Sequence, residues 1–141
     1  AGIAPERLVL EVVESEAIRD HARFLRAVDA FRAAGLRVAI DDFGAGYAGL
    51  TLLAELQPDI IKLDMELVRG IDRRGPRQAI VRGIVRTCLD LAIDLVAEGI
   101  ETPGELAWCR AEGLELFQGN LIAEAAFEQL PVPRLPGPAP A

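Results

Sequence analysis

Five short apolar runs punctuate the chain: LVLEVV (8–13), LRVAI (36–40), DIIKLD (59–64), DLVAEGI (94–100) and LELFQGNLI (114–122). Each is nearly continuous in apolar character rather than alternating, as expected of strands covered on both faces in a parallel sheet. Helical stretches separate them. In EAIRDHARFLRAVDAFRAAG, Ile18, Leu25, Val28 and Phe31 fall near one face, and Gly35 offers a left-handed stop. A short helix is predicted from Ala48 to Glu55, closed before Pro58. A long one opens near Pro76, where Ile80, Ile84, Cys88 and Leu91 recur at helical spacing, after a loop carrying RGIDRRGPR (69–77). The next opens with the capping-box pair Thr102 and Glu105 and ends at Gly113. Strand and helix thus alternate at roughly 20 to 35 residues per unit, which predicts a parallel α/β architecture. PVPRLPGPAPA, residues 131–141, has neither apolar period nor cap signals and is expected to form a disordered tail.

Polar residues interrupt every one of these strands. Glu11 sits in LVLEVVES, Asp41 and Asp42 end VAIDD, Lys62 breaks IIKLD, Glu98 and Glu101 flank the end of LVAEGIE, and Gln118 lies within LFQG. A charged group in an apolar strand is costly to desolvate unless it is paired or binds a metal, so their recurrence points to one shared polar centre. In parallel α/β folds the C-terminal strand ends converge on one mouth, where active sites lie. Glu11, Asp41, Asp42 and Glu98 supply hard anionic oxygens suited to Mg²⁺ or Mn²⁺, and Lys62 is the lone cation among them. Such a set suits metal-assisted hydrolysis of a phosphodiester.

Composition narrows the reading. The chain has 141 residues, 51% of them apolar, which is enough for one domain with a real core. A net charge of -7 argues against a nucleic-acid polymer or an anionic membrane as partner. Cys88 and Cys109 show no metal-ligand spacing and make no disulfide framework, and no apolar run approaches the roughly 18 to 20 residues that span a bilayer. A cytoplasmic protein without membrane insertion is expected.

LVLEVVES, AIDDFGAGYAGL, IIKLD, VAEGIE and FQG, in this order and spacing, resemble the EAL-domain family, the cyclic-di-GMP phosphodiesterases. The resemblance covers nearly all of residues 6 to 130. It implies a TIM-type βα barrel with a two-metal Mg²⁺ or Mn²⁺ site that converts cyclic di-GMP to linear pGpG. By that resemblance Glu11, Asp41 and Asp42 are metal ligands, Lys62 holds the attacking water, Glu98 orients or deprotonates it, and Glu101 and Gln118 line the site. Glu14 matches a glutamate that steadies the FGAGYAGL loop, which in the family couples metal binding to dimer contacts. The Glu-Ala-Leu motif and an asparagine ligand of the family are not in the chain, so residues 1 to 130 are expected to be the C-terminal portion of the barrel, with about five parallel strands. A homodimer and an upstream regulatory or sensory domain are expected partners. After its QG the family continues with an aromatic, a small residue, Arg or Lys, and Pro, whereas this chain reads QGNLIAEAAF, with Glu124 near a polyanionic ligand. A non-catalytic EAL domain that senses cyclic di-GMP or binds a protein is the alternative reading.

Overall fold

The computed structural model describes residues 2–14, 21–46 and 49–135. Five strands form one sheet: β1 (Val9–Val13), β2 (Arg37–Phe43), β3 (Ile60–Leu63), β4 (Asp94–Ala97) and β5 (Leu116–Phe117). They lie side by side in chain order and every pairing is parallel. Helices form the crossovers: α1 (His21–Ala33), α2 (Gly49–Leu56), the single turn α3 (Met65–Val68), α4 (Gly75–Leu91) and α5 (Pro103–Ala111). Among the described residues, no helix is long and apolar enough to cross a membrane.

Period-two alternation splits the sheet into an apolar face and a functional one. Val12, Val38, Ile40, Ile61, Leu63 and Ala97 are buried in one core with helix residues Val28, Leu53, Val85 and Leu106. Glu11, Asp41, Lys62 and Glu98 fall on the alternate positions, so all four share the opposite face near the C-terminal strand ends.

Several expected helix faces differ from the observed ones. On α1 the buried residue is Val28, with Phe24 and Leu25 packed beside it, while Phe31 is 43% exposed. A 13-residue helix is about 20 Å long, and contact with the sheet ends one turn before Phe31. Ile18 lies outside the described residues. On α4 the stripe against the sheet is Val81, Val85 and Cys88, whereas Ile80 and Leu91 are 54% and 56% exposed. Cys88 belongs to both stripes and Ile84 also packs against the core, so the expected and observed faces overlap, and periodicity alone does not choose between their outer residues. The run over 114–122 yields only the two-residue β5, because Leu114 caps α5 through its bond to the Cys109 carbonyl and residues past Gln118 turn. The 69–77 loop is mostly helical, with a 3₁₀ turn at Ile71–Arg73 and α4 beginning at Gly75.

The capping box at Thr102 and Glu105 is formed. Glu105 does more than cap: its buried carboxylate accepts from Gly70 N at 2.7 Å and from Glu101 N and Thr102 N at 2.9 Å each. It therefore ties the start of α5 to the β3–α4 connection. Burial opposes ionisation, but these bonds win and hold the carboxyl below the ordinary value of 4.5. A depressed pKa contributes stability that is present above the unfolded value and is lost as pH falls through the lower folded one. Glu105→Gln is expected to destabilise by about 1–3 kcal/mol at pH 7. Urea unfolding should show the gap to the parent protein narrowing below pH 4.5.

Candidate active site

Two adjacent aspartates in a regular strand would point to opposite faces. The β2–β3 register shifts between Ile40 and Phe43, and Asp42 adopts φ 53°. This left-handed bulge turns Asp42 to the same side as Asp41 and returns Phe43 to the core, where it is 4% exposed. Ligand oxygens of Asp41, Asp42 and Glu98 consequently lie within 4.8 Å of one another.

Lys62 sits at the centre of this face. Its Nζ lies 2.7 Å from Asp41 Oδ1, 3.0 Å from Glu98 Oε1 and 3.4 Å from Glu11 Oε1. Side-chain exposures are 14% for Lys62, 20% for Asp41 and 12% for Glu98, against 48% for Glu11. Glu11 thus meets the cluster through Lys62 and stands outside the close triad. Burial alone would lower the Lys62 pKa, but its bonds to Asp41 and Glu98 raise it well above the ordinary lysine value. Glu98 is nonetheless pushed up: burial outweighs the pull of Lys62, because one ammonium is shared among three carboxylates while Asp41 and Asp42 add repulsion. Burial, then Asp41 and Asp64, also raise Asp42.

This is an incompletely neutralised cluster of hard oxygens, and the donor chemistry fits a divalent cation. Beside it opens a cleft of about 300 Å³ whose walls include Asp42, Asp64, Glu98, Glu101, Gln118 and Asn120. Glu101 and Gln118 line the cleft as expected from the sequence, and Glu101 also holds Arg69 at 3.1 Å. Asp64 was not singled out from the sequence. It accepts from Glu66 N at 2.8 Å as the cap of α3, and an aspartate in front of a single helical turn carries too little periodic signal to be noticed.

Glu14 is not in the cleft but behind it. Its buried carboxylate accepts from Gly44 N at 2.7 Å and from Gly49 N at 2.8 Å, while its own N–H donates to the Asp41 carbonyl at 3.1 Å. A Cβ at Gly46 would come 2.8 Å from Glu14 Oε1, so the small residue there lets the carboxylate enter the loop. Tyr47 and Ala48 of that loop lie outside the described residues.

The family model described as the EAL domain matches residues 1–125. The blue light- and temperature-regulated antirepressor BluF of Escherichia coli K12 is 44% identical over 129 residues, which are 92% of this chain and 32% of BluF. The cyclic di-GMP phosphodiesterase PdeR of the same organism is 36% identical, over 85% of this chain and 19% of PdeR. The calcium and cyclic-di-GMP complex of Klebsiella pneumoniae BlrP1 superposes with a TM-score of 0.88 at 46% identity, covering 94% of this chain and 34% of BlrP1. The chain spans about a third or less of the length of these relatives.

Proposed function

Since this chain belongs to the EAL-domain family, we propose that it carries the water-activating part of a phosphodiesterase site that opens cyclic di-GMP to pGpG. The observation behind this reading is the Lys62 ammonium held between Asp41 at 2.7 Å and Glu98 at 3.0 Å, against a triad of metal-type oxygens. PdeR, named a cyclic di-GMP phosphodiesterase, and BlrP1, captured with cyclic di-GMP, support the substrate.

Asp41 and Asp42 would hold a divalent ion, Mg²⁺ or Mn²⁺, with Glu11 completing the set in the whole domain. Such an ion, when bound, supplies Lewis-acid neutralisation of charge on the phosphate oxygens. Lys62 donates a hydrogen bond to the attacking water and fixes its position. Glu98, 3.0 Å from the Lys62 ammonium, is placed to take the proton as the water attacks. Glu101 and Gln118 line the substrate's cleft, and Glu14 holds the loop that follows Asp42.

The homodimer would use the exposed apolar strip around Leu50 and Ile80, 74% and 54% exposed, beside the Glu14 loop. Upstream regulatory sequence and a reducing cytoplasm, in which buried Cys88 and Cys109 stay thiols, complete the reading. BluF is named an antirepressor, which would suit a non-catalytic domain. A pure sensor, however, has no chemical need for the Lys62 and Glu98 pair.

Lys62→Ala in the full-length protein is expected to lower kcat by about 10²–10⁴-fold while nucleotide affinity changes only a few-fold. Steady-state hydrolysis paired with calorimetric titration checks this. Unchanged kcat would remove Lys62 from the reaction.

A further inference from the structure

Among the described residues, the walls of the cleft carry four carboxylates, Asp42, Asp64, Glu98 and Glu101, and no basic side chain. Like charges facing an anionic phosphodiester in so confined a space cost affinity. One of the four is answered from outside the cleft. Arg69 Nη2 donates to Glu101 Oε1 at 3.1 Å, while its Nη1 stands 3.6 Å from Glu66 Oε1, beyond hydrogen-bond reach. Side-chain exposures of 45% and 44% put the Arg69–Glu101 pair at the rim, where an ion pair adds little to stability. The geometry is nonetheless fixed at both ends by one buried group: Glu105 accepts from Gly70 N, next to Arg69, and from Glu101 N itself. Arg69 N also donates to the Met65 carbonyl at 2.8 Å, and the Arg69 carbonyl accepts from Arg77 at 3.4 Å. A Cβ at Gly99 would come 2.5 Å from Met65 Cβ, so the glycine lets this turn sit directly on the loop that carries Glu98 and Glu101.

Building on the phosphodiesterase reading, we propose that Arg69 is a positioning residue that acts through Glu101: it holds the Glu101 carboxylate at the rim and neutralises it, so that the anionic substrate enters a cleft with one repelling charge fewer. With Arg69 removed, Glu101 becomes an uncompensated anion on the cleft wall, free to turn toward the substrate's phosphates or toward the cation that Asp41 and Asp42 would hold. The guanidinium itself does not line the cleft. Its effect is therefore one of charge rather than of contact with substrate, and a lysine, which carries the same charge on a flexible stem, replaces it nearly as well. Holding both residues of the pair by backbone bonds to Glu105 gives this rim contact the fixed geometry that an ordinary surface ion pair lacks.

The test is a double-mutant cycle in the full-length protein, with parent, Arg69→Ala, Glu101→Gln and the two combined, and Arg69→Lys beside them, each titrated with cyclic di-GMP in calcium, the ion present in the BlrP1 complex. The Arg69 side chain is 45% exposed, so its truncation leaves the fold in place. Arg69→Ala is expected to weaken binding about five- to tenfold in the parent background, but less than about twofold where Glu101 is already glutamine and no charge is left to neutralise. Arg69→Lys is expected to bind within about threefold of the parent. Steady-state hydrolysis in Mn²⁺ should show KM rising in Arg69→Ala while kcat changes by less than about threefold, a split that a general loss of structure does not produce. An equal loss of affinity in both backgrounds would mean that Arg69 contacts the substrate itself and would overturn the proposal while leaving the phosphodiesterase reading intact, as would no loss in either. If the parent protein binds no cyclic di-GMP at all, the functional reading falls and the role of Arg69 with it.

Discussion

Asp41→Asn in the full-length protein is expected to reduce cyclic-di-GMP hydrolysis by at least about 10²-fold, with the fold intact. Asparagine keeps the shape of the side chain but not its charge. Asp41 contributes twice to the site: its oxygen lies 2.7 Å from Lys62, and it is one of three carboxylates whose ligand atoms gather within 4.8 Å. Losing the charge weakens the hold on a divalent cation and loosens Lys62, so both effects act on the same step. The backbone at this position also matters, since the Asp41 carbonyl accepts from Glu14 N and the residue pairs with Val13 across the sheet. Both features survive the substitution. Circular dichroism melting should therefore stay close to that of the parent protein while product formation, followed by chromatography, disappears. Retained activity would exclude Asp41 from the metal set.

Glu14→Ala should be the most destabilising single change near the site. It strands the Gly44 and Gly49 N–H groups, one at the loop after Asp42 and one at the first residue of α2. Each unsatisfied buried donor costs about 1–3 kcal/mol, so a total of about 2–5 kcal/mol is expected. The lost carboxylate also faced the positive end of the α2 dipole. Arg32 holds the other end of α2 through the Leu56 carbonyl at 2.7 Å, so the helix stays tethered at only one end. Urea unfolding measures the loss, and Glu14→Gln, which keeps one acceptor oxygen, should fall between the two. A change under about 0.5 kcal/mol would mean that water replaces the carboxylate without cost.

The parallel sheet and the shared polar face were legible because strand periodicity is short and strict. Charges in otherwise apolar runs stand out, and alternation alone sends Glu11, Lys62 and Asp41 to one side. Asp42 was named as a site residue, but the bulge that turns it inward depends on a left-handed backbone that no local pattern announces. Helix faces were less legible, since α4 carries apolar residues on two adjoining stripes and only the position of the sheet selects Val81, Val85 and Cys88. The wider role of Glu105 was hidden for a similar reason. Its capping partner is three residues away in sequence, whereas Gly70 is 35 residues away and meets it only in the folded chain. The bond from Arg134 N to the Ile122 carbonyl likewise comes from long-range packing that proline-rich composition does not foretell.

The most direct measurement is incubation of the full-length protein with cyclic di-GMP and Mn²⁺, with product resolved by chromatography and chelator added to a parallel sample. The expected result is pGpG that accumulates with Mn²⁺ and is absent with chelator. Cyclic di-GMP that binds but stays uncut at every divalent ion tried would contradict the assignment of Lys62 and Glu98 to water activation.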